Sequence, residues 1–123
     1  MKRLAALLFL VLCAAFTLAA QTPNPADYTM KVHISASHLQ GDCDQLGCGT
    51  YLHADSTLNG KKLQLSGNVV RVKNIPMLIA PGDYPAKLTK DVHNSNGTLF
   101  VQGFDVLLPD NIIWHCATNG VSE

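Results

Sequence analysis

The chain has 123 residues, enough for one domain and not for two. Its 9 Lys plus Arg balance 9 Asp plus Glu, and Lys61-Lys62 is the only adjacent basic pair after the N-terminus. With no basic stripe to follow a phosphate backbone and no basic amphipathic helix, neither nucleic acid nor a membrane surface is an expected partner.

The first element is a leader. In "MKRLAALLFLVLCAAFTLAAQ" a positive start at Lys2 and Arg3 precedes an apolar run from Leu4 to Phe16, then small residues at Ala19 and Ala20. That order of basic end, short apolar middle and small-residue exit is the pattern of a secretory signal peptide over residues 1–20, cleaved after Ala19 or Ala20. The run is short for a membrane span, so no membrane insertion is expected once the signal is removed. Cys13 follows Leu12, where a lipidation site needs a small residue, and reads as an ordinary apolar residue of the signal. Without Lys2 and Arg3 the chain keeps seven Lys plus Arg against nine Asp plus Glu, a formal charge of −2. The expected location is secreted or periplasmic, in a bacterium.

Residues 21–27, "QTPNPAD", hold two prolines and read as an extended, poorly ordered lead-in. A single β domain is expected over 28–123. In "YTMKVHISASHL", Met30, Val32, Ile34 and Ala36 alternate with Lys31, His33, Ser35 and Ser37, which predicts a strand with the first set inward. Gln40 to Gly49 reads as a connection. "TYLHADSTL" alternates again, with Leu52, Ala54, Ser56 and Leu58 on one face and Tyr51, His53, Asp55 and Thr57 on the other. Asn59-Gly60 predicts a tight type I′ reversal between Leu58 and Lys61, with "KKLQLSG" as the returning strand and "NVVRVKN" as another short one. Pro81-Gly82-Asp83 predicts a turn before a strand starting at Tyr84, whose Pro85 places it at an edge. "HNSNG" is a polar loop. "TLFVQGFDVLL" is a longer strand with Gly103 at a bulge or close contact. Pro109 to Asn111 form a hairpin loop, with Asn111 suited to a left-handed conformation, and "IIWHCAT" closes the sheet. The fold class is all-β: a small antiparallel barrel or sandwich of six to seven short strands.

The order "NGKKLQL … PGDYPAKLTKD … FDVLLPDN" resembles a group of short, secreted, uncharacterised bacterial all-β proteins. They share a Gly-Asp-Tyr turn before an alternating strand and a final strand pair joined at Pro-Asp-Asn. The resemblance runs from about Tyr28 to the C-terminus and implies a secreted all-β domain, with no mechanism attached. The cysteines are not part of its pattern.

After the signal, three cysteines remain: Cys43, Cys48 and Cys116. The count is odd, so one intramolecular bridge at most forms. Asp44-Gln45-Leu46-Gly47 is a short, glycine-containing spacer that turns back on itself, which favours a Cys43–Cys48 disulfide. Cys116 paired with one of these, or a zinc site of poor spacing, are the alternatives. By alternation Cys116 shares a face with Trp114 and Ile112 and is expected buried.

If the apolar faces of the first two strands coincide, His33 lies near Asp55 and Ser35 near His53, putting two imidazoles and a carboxylate on one wet surface. Such a trio binds transition metals or shuttles protons, although polar residues on a half-exposed sheet are the plainer reading. No metal and no cofactor is expected. There is no G-x-S-x-G, and the only glutamate is Glu123. Asp42, Asp44, Asp83 and Asp110 read as turn residues bonded to their own backbone, so no catalytic set converges and an enzyme is not expected. The expected role is a binding or structural module that meets an unknown protein or glycan ligand through the Gln40–Gly49 connection, with Tyr51, His53, His33 and Asp55 as the candidate surface. The alternatives are a small envelope metal-binding or thiol-redox protein and an inhibitor of a secreted hydrolase. A monomer or weak dimer is expected.

Overall fold

Alternating apolar positions and turn chemistry build eight strands in the computed structural model, which describes residues 22–122; the signal segment expected at 1–20 lies outside the described residues. The strands are β1 (Met30–Asp44), β2 (Gly47–Leu58), β3 (Lys61–Gly67), β4 (Val70–Val72), β5 (Ile75–Met77), β6 (Gly82–His93), β7 (Phe100–Leu108) and β8 (Ile112–Ser122). Six of them close into an antiparallel barrel in the order β1-β2-β3-β8-β7-β6, with β6 returning to β1. Closure removes the open edges that a sandwich of this size would leave. β4 and β5 form a separate two-stranded ribbon. No helix among the described residues is long and apolar enough to cross a membrane.

The expected turns hold where the residues tolerate positive φ. Asn59 (51°) and Gly60 (79°) join Leu58 to Lys61, and Asp110 (64°) and Asn111 (59°) join β7 to β8. Lys73 (51°) and Asn74 (64°) make a further reversal of the same kind, so "NVVRVKN" holds one strand and the turn into another. The turn expected at Pro81-Gly82-Asp83 is displaced, because Gly82 and Asp83 already pair with Ile34 and His33 of β1. Pro85 pairs with Lys31 of β1, one residue before the β6–β7 register opens at Ala86, so it lies where β6 is paired on one flank only. In the lead-in, Pro25–Asp27 form a single 3₁₀ turn, capped where the Ala26 N–H donates to Asn24 Oδ1 at 3.1 Å. Tyr28 behind it is buried under Lys87, whose ammonium sits 5.1 Å from the ring centre. That stretch therefore turns at residues 25–27 and is not extended throughout.

The barrel interior is filled by side chains, with Ile34, Leu52, Leu65, Val106 and Trp114 all but inaccessible. The inward alternation of β1 stops at Ile34. A bulge between Ile34 and Ala36 shifts the register, so Ala36, expected inward, is exposed. Residues 68–81 cross from β3 to β6 and close one end of the barrel. Ile79 is buried there, and its N–H and C=O are both engaged by the Ser37 hydroxyl at 2.9 and 2.8 Å. The Trp114 indole N–H donates to Asn68 O at 3.0 Å beside it. Gly67 lets β3 approach β8 closely, since a Cβ there would strike His115 O and lie 2.7 Å from Trp114 Nε1. Gly103 sits opposite the register shift in β6, where a Cβ would come within 3.1 Å of Thr89 Oγ1, which matches the bulge expected there.

Candidate functional site

At the end closed by residues 68–81, two strands outrun the barrel. The β1–β6 ladder ends at Ile34↔Gly82 and the β2–β3 ladder at Leu52↔Gly67, yet β1 and β2 stay paired to Asp44↔Gly47. Residues 40–51 are thus a two-stranded arm. The connection expected from Gln40 to Gly49 is mostly ladder, with only Gln45 and Leu46 left as its turn. Glycine and aspartate at high density read as loop residues, but here each faces a partner across the ribbon.

The disulfide is the expected one. Cys43 and Cys48 are directly opposite in the ladder, bonded, with Cα atoms 4.0 Å apart. It clamps the last turn of the arm. There the Leu46 N–H donates to Asp44 Oδ1 at 2.8 Å, and Gly47 takes a φ of 133°. The result holds Leu46 out in solvent with 98% of its surface exposed. Tyr51 lies over Gly49, its ring about 3.5 Å from where a Cβ would stand.

The base of the arm is a histidine stack. His38 and His53 are cross-strand partners with ring centres 5.3 Å apart and planes within 13°. His53 was expected on the wet face with Asp55; it is 1% exposed. Its Nε2 lies 3.2 Å from Asp42 Oδ2, and the Asn119 amide lies 3.5 Å from its Nδ1. An imidazole protonated on Nε2 satisfies both, donating to the carboxylate and accepting from the amide. Gln40 bridges His38 and Asp42 at 3.3 and 3.1 Å. Asp42 is four residues beyond His38, roughly 13 Å along a straight strand. The Asp42 and His53 side chains therefore reach toward each other along the ribbon to make this contact.

The other candidate residues go elsewhere. His33 stands opposite Thr57 and Asp55 opposite Ala36, so the expected His33–Asp55 and Ser35–His53 neighbours do not form; the ladder is two residues out of the assumed register before the bulge and one further after it. Ser35 Oγ instead donates to the Asp55 carbonyl at 3.1 Å. His33 Nδ1 lies 2.8 Å from Asp83 Oδ1, with Lys31 Nζ 3.7 Å from the second oxygen. The His33 hydrogen bond, aided by the Lys31 charge, holds the Asp83 carboxyl below the usual range. The structure thus gathers Tyr51 and His53 at the arm and leaves His33 and Asp55 on the barrel wall. Of the aspartates read as turn residues, Asp44 caps its own turn and Asp110 sits in one, whereas Asp42 and Asp83 pair with histidines.

His93 and His115 also take one aspartate each, Asp91 at 2.6 Å and Asp105 at 2.5 Å. Among the described residues no group of three or more His, Cys, Asp or Glu is placed to hold a metal ion. Cys116 is unbridged and buried, near Phe104 O. Burial, with the Asp105 charge adding to it, pushes its thiol up to about 12, so it stays protonated and a poor nucleophile at neutral pH.

Sequence reasoning missed His38 and Asn119, and it did not single out Leu46 within the Gln40–Gly49 connection it put forward. Leu46 carried a signal: it is the one large apolar residue between two cysteines, in a spacer otherwise polar or glycine. Asn119 carried none, because it reaches His53 across the barrel wall from β8. No protein family, no curated protein and no solved structure matches the chain.

Proposed function

We propose that the protein is a secreted or periplasmic, non-catalytic binding module that recognises another protein through the β1–β2 arm. One observation carries this reading: a disulfide-clamped hairpin holds a leucine 98% exposed at its tip. Leaving a large apolar side chain in water forgoes about 1.5–3 kcal/mol that burial would return. Fixing it before contact removes part of the ordering cost of binding. The base, where His53 is buried and contacts His38, Asp42 and Asn119, ties the arm to the barrel. A rigid apolar tip fits a pocket on a protein better than it fits the polar surface of a glycan. Insertion of a clamped loop into a cleft is also how an inhibitor of a secreted hydrolase would act, and the identity of the partner decides between the two.

The test compares immobilised wild-type protein with Leu46→Asp and with Cys43→Ser/Cys48→Ser against envelope and culture-fluid proteins of the producing cell. The expected result is a species held by the wild type and lost from both variants. Retention indifferent to both changes contradicts the proposal.

A further inference from the structure

The barrel end away from the arm is split. The β7–β8 ladder stops at Gly103↔Ala117, although β8 continues along β3 to Ser122. At the split the Thr118 hydroxyl stands in for the ladder, meeting the Gln102 N–H at 3.2 Å and the Gln102 carbonyl at 3.4 Å. On the other wall β1 meets β6 from Met30↔Ala86, but joins β2 only at His33↔Thr57. The end therefore opens into two lips, one made by the Asn59-Gly60 turn and β3, the other by the start of β1 and the outer parts of β6 and β7. Between them lies a half-open cleft of about 920 Å³, in the size range of small-molecule sites.

Its floor is the top of the core, where Leu58, Leu63 and Phe104 are buried. The second lip adds Met30, Leu88 and Phe100; Leu88 and Phe100 remain 41% and 40% exposed, apolar surface that a hydrocarbon occupant would cover. Lys61 and Lys62 stand on the first lip, and no Asp or Glu lines the cleft among the described residues. His93 lines the second lip but is engaged by Asp91 at 2.6 Å, which leaves the lysines as the positive charge of the rim.

We infer that this cleft binds a long-chain monocarboxylate, its hydrocarbon chain laid on the apolar floor and its carboxylate at Lys61 and Lys62. The site lies at the opposite end of the barrel from the arm and is independent of the partner proposed for it.

The experiment is a fluorescence titration of the purified protein with cis-parinaric acid and, separately, with its uncharged methyl ester. The expected result is saturable one-to-one binding of the acid. It weakens roughly five-fold or more in Lys61→Gln/Lys62→Gln, as loss of partly screened charge contacts predicts, and is abolished in Phe100→Asp. The ester should bind more weakly than the acid and ignore the lysine variant. Both lysines are exposed, so that variant keeps the fold. No saturable binding to the wild type, equal binding of acid and ester, or an affinity for the acid unmoved by the lysine variant overturns the inference.

Discussion

Gly67 and Cys116 face each other where β3 meets β8, and each is tied to its place by a different physical limit. At Gly67 the limit is space: the backbone of His115 and the indole of Trp114 occupy the position of any Cβ. Backbone yields less readily than a side-chain tip, so Gly67→Ala should cost about 1–3 kcal/mol, read as a lowered urea midpoint with an unchanged slope. A midpoint equal to wild type would mean the two strands separate freely at that point. At Cys116 the limit is charge. Its thiol is pushed from 9.0 up to about 12 by burial first and by Asp105 second. A thiol raised in the folded state contributes stability that is present below pH 9 and lost as pH climbs toward about 12. The stability difference between wild type and Cys116→Ala should therefore move against the wild type across that window, measured by denaturant unfolding at stepped pH. A constant difference would show the thiol to be accessible to water. The burial of Cys116 was legible from alternation with Trp114, whereas the need for glycine at 67 was not, because it depends on which strand lies alongside.

The β1–β2 hairpin is the element on which local and global determinants part. On its inner half, Leu52, Ala54, Ser56 and Leu58 of β2 are buried as alternation requires, with His53 buried against the pattern. Its outer half has no core to face, so hydrophobic patterning falls silent and Gly41, Asp42, Gly47 and Gly49 read as a loop. What pairs these residues is the bridge at Cys43–Cys48 and the backbone ladder, neither of which has a hydrophobic signature. The expected neighbours of His33 failed because the β1–β2 ladder runs two residues out of the assumed register, with His33 opposite Thr57, and nothing local marks that; the bulge after Ile34 then turns Ala36 outward. Because the arm lies outside the barrel ladder, the bridge should stabilise it locally. A closed loop this small contributes about 2 kcal/mol. In Cys43→Ser/Cys48→Ser, amide exchange should quicken across residues 40–51 while the barrel strands keep their protection. Faster exchange throughout the barrel would place the disulfide in the global folding unit instead.

For the molecule as a whole, the turn residues and the strand count made an all-β fold legible, and Asn59-Gly60 and Pro109–Asn111 were placed correctly from local chemistry. A barrel was one of the two architectures the sequence allowed; the strand order that closes it was not legible, since the pairing of β6 with β1 and of β3 with β8 joins segments far apart in sequence. Closure also leaves the two ends different in form. Residues 68–81 seal one end under the arm, and the splayed ladders leave the other open. With the interior filled, the ends and their loops are where the proposed contacts are placed, as on rigid scaffolds generally. The claim on which this account turns is that the arm tip is a contact surface. A photo-cross-linking residue placed at position 46, with one at position 95 in the distal loop as control, tests it directly in the producing cell. A discrete cross-linked protein is expected from position 46 and none of the same mass from position 95. No product at 46, or the same product from both positions, would contradict it.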